Sequence, residues 1–186
     1  MILSIIALPI LLFIFIIIGP IIYFQDKGPI FYNSPRLGKD GRIFKMYKFR
    51  SMKVNSLDIR NEDGSTYNAE NDPRVTKIGK FIRMTSIDET PQFINVIKGD
   101  MSIIGPRPDL PEMLNIYDEF KKVIAVRPGI TGYSQAYYRN SIDTINKLNN
   151  DINYIENISF LFDIKIILKT IHCIVGRKNV FNNNNV

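Results

Sequence analysis

The feature that most constrains this chain is its first 24 residues, which carry no charged side chain. As one helix they would reach about 36 Å, enough to cross a hydrocarbon core of about 30 Å. The segment shows neither the basic leader nor the small-residue cleavage site of a secretory signal peptide, so it is expected to stay in the protein. The sequence therefore predicts a membrane-embedded helix over residues 1–26.

Two prolines, Pro9 and Pro20, interrupt this apolar segment. Each removes a backbone donor and crowds the carbonyl of the preceding turn, so a kink or a break is expected. Pro9 is the better place for a break, because residues 10–24 are long enough to return to the surface from which the helix entered. A helix that spans the membrane and a helix that re-enters by the same face both fit this pattern.

Basic residues crowd the chain directly after the apolar segment, between residues 27 and 60, and the whole chain has a formal net charge of +6. This excess favours anionic partners, such as phosphates, anionic lipid or nucleic acid. By the positive-inside rule it also predicts that the rest of the chain lies in the cytoplasm. A single cysteine, Cys173, excludes an intramolecular disulfide, and a single histidine, His172, excludes a His-rich metal site.

Short elements are predicted in the polar part of the chain. Hydrophobic alternation on both sides of residues 38–41 predicts a β-hairpin with a basic outer face. Residues 53–76 are polar and without hydrophobic period, and are predicted to form a loop. Residues 75–84 have apolar side chains at helical spacing and predict a short basic helix.

Two capping boxes indicate further helix starts. Ser86 with Glu89 precedes one apolar run, and Asp109 with Glu112 precedes a helix that is predicted to run to about Val126. In a capping box the first side chain accepts from the backbone of the fourth residue, whose own side chain reaches back.

The segment over residues 160–176 has Lys165, Lys169 and His172 on one stripe and apolar residues nearly everywhere else. A helix lying in the membrane surface and a buried core helix both require such a wide apolar face, and both remain open.

The predicted fold class is α+β and mainly helical. A membrane helix over residues 1–26 precedes a compact domain over residues 27–178, built from a small β-hairpin and amphipathic interfacial helices. The Asn-rich residues 179–186 are expected to form a flexible tail.

Asp88 and Glu89 are the acids of greatest chemical interest, because they fall in the first turn of a predicted helix. Free amides and the helix dipole favour an anion there, so Asp88 is expected to stay ionised, as a nucleophile or a metal ligand requires. Adjacent helical residues diverge, so the pair cannot share one proton or flank a glycosidic bond. The alternative is that both acids only cap the helix.

Several basic residues have settings that suit a phosphate. Prolines on both sides of Arg107 pre-organise its guanidinium, and Arg127 lies in a similar turn with nearby glycines. Lys48 and Arg50 alternate with aromatic residues on a predicted strand, where a solvated face explains them equally well. Together with the acid pair and the membrane segment, they suggest metal-assisted chemistry on a phosphorylated substrate at a lipid surface.

Five blocks of sequence, in this order, resemble the bacterial sugar transferases, the monotopic polyprenyl-phosphate phosphoglycosyl transferases: residues 48–52, 85–92, 98–108, 127–132 and 157–165. The resemblance implies an enzyme of the minimal, single-domain form. Such an enzyme moves a sugar phosphate from a UDP-sugar to undecaprenyl phosphate and releases UMP, which starts the assembly of a surface glycan. It also implies the cytoplasmic face of the bacterial inner membrane, and favours the re-entrant helix.

The same resemblance implies an aspartyl phospho-sugar intermediate and Mg²⁺ as cofactor. Asp88 matches the nucleophile and is the expected Mg²⁺ ligand, and Glu89 matches its partner acid. Basic residues in or near the matching blocks are expected around the phosphates and the nucleotide: Lys48, Arg50, Arg83, Arg107, Arg127 and Arg139.

The expected partners are therefore a UDP-sugar, undecaprenyl phosphate and the lipid bilayer, and the sequence allows a homodimer. A different class of function is a membrane-tethered protein that binds nucleotide-sugars or anionic glycans without turnover, for which Asp88 would be dispensable. Nucleic acid is not expected, because the basic region over residues 27–60 contains no recognised binding motif.

Overall fold

The computed structural model describes residues 2–59, 67, 69, 71–115, 120–139 and 142–176. The α-helices are α1 (Ile2–Asp26), α2 (Lys77–Met84), α3 (Gln92–Ile97), α4 (Phe120–Val123), α5 (Tyr133–Tyr137), α6 (Thr144–Glu156) and α7 (Phe160–Val175). The strands are β1 (Phe31–Leu37), β2 (Ile43–Phe49), β3 (Ser102–Ile104) and β4 (Gly129–Thr131). The described part of the chain is thus a mixed fold with more helix than sheet, as predicted.

The predicted hairpin is confirmed. Strands β1 and β2 are antiparallel, with Tyr32 opposite Lys48, and the turn between them uses left-handed backbone at Asp40 and Gly41. Short polar and glycine residues tolerate this conformation, which explains why the chain reverses there. Near the end of the hairpin, the Lys48 side chain contacts Glu89.

A second, two-stranded sheet was not predicted. Strands β3 and β4 are parallel, with Ser102 paired to Gly129. A Cβ atom built on Gly129 would lie 2.2 Å from the backbone nitrogen of Gly105, so only glycine allows this approach. The pairing of β3 with β4 brings the loops that contain Arg107 and Arg127 side by side.

Helix α1 runs through both Pro9 and Pro20 as one α-helix, so the predicted break at Pro9 is not seen. Within the described residues, this is the one helix that is long and apolar enough to cross a membrane, judged by length and composition. One face packs on the rest of the protein in a cluster of Leu11, Ile18, Ile22, Phe49 and Ile82. Many of its other apolar side chains, such as Phe13 and Ile16, are exposed.

Helix α2 confirms the predicted basic helix, and its N-cap Thr76 accepts a hydrogen bond from the Gly79 amide at 2.9 Å. The predicted helix from Asp109 to about Val126 is wrong. A 3₁₀ turn at Pro111–Asn115 and α4 stand there instead, and residues 116–119 lie outside the described part. The Asp109 carboxylate binds Lys147 Nζ at 2.5 and 2.7 Å, since an ion pair is stronger than a cap bond.

Helix α7 is amphipathic and lies on the surface of the described structure. Ile166 and Cys173 are buried against the core, so the prediction of a fully buried helix is wrong. Its outer stripe is apolar and exposed: Leu161, Ile164, Leu168, Ile171 and Val175. The predicted tail, residues 179–186, lies outside the described residues.

Asp151 in α6 is only 2% exposed, and its Oδ1 atom accepts a hydrogen bond from Ser134 Oγ at 2.8 Å. Burial raises the pKa of Asp151 to about 6. An aspartate whose folded pKa is raised destabilises the fold once ionised, so its contribution to stability falls as pH rises from about 4 to about 6. Asparagine keeps the oxygen acceptor and has no charge to bury.

We therefore expect Asp151→Asn to be more stable than the wild type at pH 8, by on the order of 2–3 kcal/mol. The advantage should disappear towards pH 4. Denaturant unfolding in detergent at several pH values measures it. The control is Asp143→Asn at the N-cap of the same helix, which should instead lose stability at neutral pH, because hydrogen bonds from Asn146 lower the pKa of Asp143. A gain for Asp151→Asn that does not change with pH would refute this account.

Candidate active site

Asp88 and Glu89 lie in a single 3₁₀ turn, Ile87–Glu89, between α2 and α3. The predicted capping box is wrong, because Ser86 has left-handed backbone (φ 56°) and makes no cap bond with its side chain. Its hydroxyl instead accepts a hydrogen bond from Arg139 Nη2 at 2.8 Å. The α-helix that follows begins only at Gln92, so neither acid belongs to its first turn.

Glu89 is held by two cations. Its Oε1 atom accepts from Lys48 Nζ at 2.6 Å and from Arg107 Nη2 at 3.1 Å. Burial alone would raise the pKa of Glu89, but Lys48 and Arg107 outweigh burial and hold this pKa well below its usual range. Glu89 is therefore a permanent anion that fixes two basic side chains from distant parts of the chain.

Asp88 is 9% exposed and lies beside the same cations. In the described part of the chain Glu89 has the direct ion pairs and Asp88 has none. Burial, with help from the charge of Glu89, raises the pKa of Asp88 to about 6, while Lys48, Arg83 and Arg107 oppose that rise. The prediction that a helix dipole stabilises ionised Asp88 is wrong, because Asp88 lies in a 3₁₀ turn and its pKa is raised. Lys48, Arg83 and Arg107 only limit that rise.

Asp88 is therefore a buried carboxyl whose ionised form is poorly solvated by water and makes no direct ion pair within the described residues. Such a carboxylate suits nucleophilic attack, because desolvation leaves its oxygens reactive.

Two further cations are oriented towards this turn by serine hydroxyls. Arg83, near the end of α2, donates from Nε to Ser51 Oγ at 2.8 Å, and its charge acts on Asp88. Arg139 reaches Ser86, two residues before Asp88. Four of the six predicted basic residues therefore meet at the Asp88 turn: Lys48, Arg83, Arg107 and Arg139.

The other two lie elsewhere. Arg50 binds Asp26 at the end of α1. Arg127 is exposed and lines an open cleft of about 370 Å³, together with Lys39, Tyr154 and Asp163. In the described structure the phosphate role expected for Arg50 and Arg127 has no support from their position, and it stays a prediction.

Sequence reasoning missed Ser51, which orients Arg83, and the acid that binds Arg50. It named Ser86 as a helix cap and missed its contact with Arg139. Ser51 and the acid each had a signal. Ser51 lies in the block that also holds Lys48 and Arg50, and Asp26 is the first ionisable residue after the apolar segment. A lone charge at the end of such a helix requires a partner or water.

The described residues hold no cluster of three or more histidine, cysteine, aspartate or glutamate side chains that could bind a metal by itself. Asp88 and Glu89 supply two carboxylates, and cations already bind Glu89 Oε1. Mg²⁺ is commonly held by one or two carboxylates together with phosphate oxygens of the substrate. The donor set at Asp88 fits an ion shared with a phosphate, and not a closed protein cage.

Comparison with known proteins identifies the family of this chain. The family described as bacterial sugar transferase matches residues 1–177. The galactosyl transferase CpsE of Streptococcus agalactiae serotype III is 46% identical over 162 residues, which is 81% of this chain and 36% of that protein. The undecaprenyl-phosphate galactose phosphotransferase of Salmonella typhimurium is 38% identical over 169 residues, 84% of this chain and 36% of that protein.

The chain spans little more than a third of the length of these two relatives. It covers more of a shorter protein, the exopolysaccharide production protein ExoY of Sinorhizobium fredii. That protein is 37% identical over 180 residues, which is 90% of this chain and 80% of ExoY. Because the family match extends over nearly the whole sequence, the chain belongs to the bacterial sugar transferase family.

Proposed function

We propose that this protein is a phosphoglycosyl transferase that moves a sugar phosphate from a UDP-sugar to undecaprenyl phosphate, with release of UMP. The observation that carries the proposal is the buried Asp88 carboxylate beside Lys48, Arg83 and Arg107. Named relatives support it, among them the UDP-glucose:undecaprenyl-phosphate glucose-1-phosphate transferase of Escherichia coli K12, 42% identical over 159 residues.

In the first step an Asp88 oxygen attacks the phosphorus that bears the sugar. The bond from this phosphorus to the oxygen of UMP breaks, and UMP leaves with the electron pair. In the second step a phosphate oxygen of undecaprenyl phosphate attacks the same phosphorus and frees the Asp88 carboxylate. The product is a sugar joined to the lipid by a diphosphate, which starts a surface glycan.

The basic residues act on the charges of these steps. Arg83 and Arg107 lie where guanidinium groups can bind phosphate oxygens, and such pre-placed donors stabilise charge that develops in the transition state. Glu89 keeps Lys48 and Arg107 in place through its two ion pairs. Asp88 and oxygens of the diphosphate would hold Mg²⁺, which supplies further neutralisation of phosphate charge when bound.

We also propose that α1 anchors the protein to the cytoplasmic face of the inner membrane. The protein covers α1 from Leu11 to Ile22, about 16 Å of helix. A helix that simply crossed the bilayer would carry that part of the domain into the hydrocarbon core. The geometry therefore favours a shallow path, with the exposed apolar stripe of α7 lying on the same lipid surface. Re-entry stays a prediction, because α1 is uninterrupted at Pro9 and Pro20. A homodimer stays a prediction.

The test is release of UMP by the purified full-length chain in detergent. We expect repeated release from at least one UDP-sugar only when both undecaprenyl phosphate and Mg²⁺ are added. Without undecaprenyl phosphate, the first step should release at most about one UMP per protein molecule. A panel that includes UDP-glucose, UDP-galactose and UDP-N-acetylgalactosamine covers the sugars in the names of the relatives. Absence of release from every sugar in the panel would reject the proposed activity.

A further inference from the structure

Arg50 and Asp26 form a link between α1 and the rest of the protein, in which Arg50 is buried and Asp26 lies at the surface. The Arg50 guanidinium donates from Nη1 to Asp26 Oδ2 at 3.1 Å and from Nη2 to Asp26 Oδ1 at 2.5 Å. The Nη2 atom also donates to the backbone oxygen of Ile22 at 3.2 Å. Arg50 is 7% exposed, whereas 25% of the Asp26 side chain is exposed.

The link closes the end of α1. The Ile22 carbonyl lies four residues before the end of α1, near the helix C-terminus, where a cation is favoured. Asp26 also accepts a hydrogen bond from the Val54 amide at 3.0 Å. Both the side chain and the backbone that follow β2 are therefore fixed to one turn of the apolar helix.

The residues beside Arg50 reach the candidate active site. Lys48 binds Glu89, and Ser51 Oγ accepts from the Nε atom of Arg83. Within four positions, the segment over residues 48–51 thus contacts Glu89, helix α1 and Arg83. A shift at Arg50 must move its neighbours, because the backbone between them is continuous.

We propose that Arg50 is a positioning residue, and that the Asp26–Arg50 pair holds Lys48 and Ser51 in register with the Asp88 turn from the end of the membrane helix. This inference rests on the proposed function for its kinetic readout. It replaces the expectation that Arg50 binds a phosphate, because within the described residues all the hydrogen bonds of its side chain are to α1. Through this pair, a change in the position of α1 would change the positions of Lys48 and Ser51 in the active site.

The space around the link is filled. A Cβ atom on Gly28 would lie 2.2 Å from Arg50 Nη1 and 2.2 Å from a methyl group of Val54. The guanidinium cannot move aside without losing its bonds to Asp26. Both Nη atoms already bind Asp26, so a substrate phosphate would have to compete with Asp26 for them.

The first test is a kinetic cycle in detergent with Asp26→Asn, Arg50→Gln, the double variant and Lys53→Gln as a control. Lys53 is an exposed lysine three positions after Arg50. Each single change should lower kcat about tenfold, as loss of a charge-assisted contact predicts, and leave KM for the UDP-sugar within about twofold. The double variant should resemble either single one, and Lys53→Gln the wild type.

A substrate contact gives a different pattern. If Arg50→Gln raises KM for the UDP-sugar many-fold while Asp26→Asn behaves like the wild type, Arg50 binds substrate and the proposal is overturned. Losses that multiply in the double variant would overturn it as well. Arg50→Lys separates charge from geometry, since lysine keeps the charge and lacks the fork that spans both oxygens of Asp26.

The second test does not depend on activity. Amide hydrogen exchange of residues 43–52 should be faster in both Asp26→Asn and Arg50→Gln, and unchanged in Lys53→Gln. Each variant should keep the melting transition of the wild type and the wild-type exchange in its other peptides, which shows that the protein is folded. Unchanged exchange in this segment would refute the positioning role. If the wild type releases no UMP, the proposed function fails, and the exchange experiment still decides about the link.

Discussion

Replacing Asp88 with asparagine is expected to abolish UMP release, with a loss of roughly three orders of magnitude or more. Asparagine has nearly the same shape but lacks the anionic oxygen that would attack phosphorus. The fold should survive, because the direct ion pairs in this turn are made by Glu89. The measurement is the steady-state rate with saturating UDP-sugar and undecaprenyl phosphate.

Asp100→Asn is the matched control. Asp100 is 9% exposed, the same fraction as Asp88, but it lies beside Lys98 and Arg42. Asp100→Asn should keep most of the activity if the loss at residue 88 reflects chemistry. Undiminished UMP release by Asp88→Asn would contradict the assignment of the nucleophile, and an equal loss in both variants would point to damage of the fold.

Replacing Glu89 with glutamine should lower kcat by about a hundredfold, because Lys48 and Arg107 lose the anion that places them. Stability should also fall, by about 3 kcal/mol, since removing one partner leaves a partly buried Lys48 without compensation. The charge of Glu89 raises the pKa of Asp88, so the variant should leave Asp88 more fully ionised. The loss of rate then comes from misplaced cations.

A second substitution separates the two effects. Glu89→Gln combined with Lys48→Met removes both ends of the Lys48–Glu89 pair and should recover much of the stability, because no unpaired lysine stays partly buried. Arg107, the other partner of Glu89, has a side chain that is 41% exposed and can be solvated by water. Activity should not recover. Chemical unfolding and UMP release measured on the same samples compare the two. Near-normal turnover by Glu89→Gln alone would return Glu89 to a structural role.

Local patterns predicted the elements that local physics determines. The hairpin follows from alternation around a glycine turn, and α2 from the helical spacing of its apolar residues. The β3–β4 sheet could not be predicted in this way, because its strands are three residues long and come from distant parts of the chain. Both capping boxes were wrong. Ser86 has left-handed backbone and makes no cap bond with its side chain, and Asp109 binds Lys147.

The site was predicted as a set of residues and not as an arrangement. The resemblance and the charge pattern identified Asp88, Glu89 and four cations that do meet there. Alternation placed Lys48 and Arg50 on one face, but β2 ends at Phe49, and Arg50 turns instead to Asp26, 24 positions earlier. Such long-range pairing depends on tertiary structure, which no local pattern contains.

The most direct test of the central claim is to look for the covalent intermediate. The wild type is incubated with a UDP-sugar in the absence of undecaprenyl phosphate, quenched in acid and analysed by intact-mass and peptide mass spectrometry. The account predicts added mass of one sugar phosphate on the peptide that contains Asp88, and its loss when undecaprenyl phosphate is supplied. An active protein that shows no adduct, or an adduct on another residue, would contradict it.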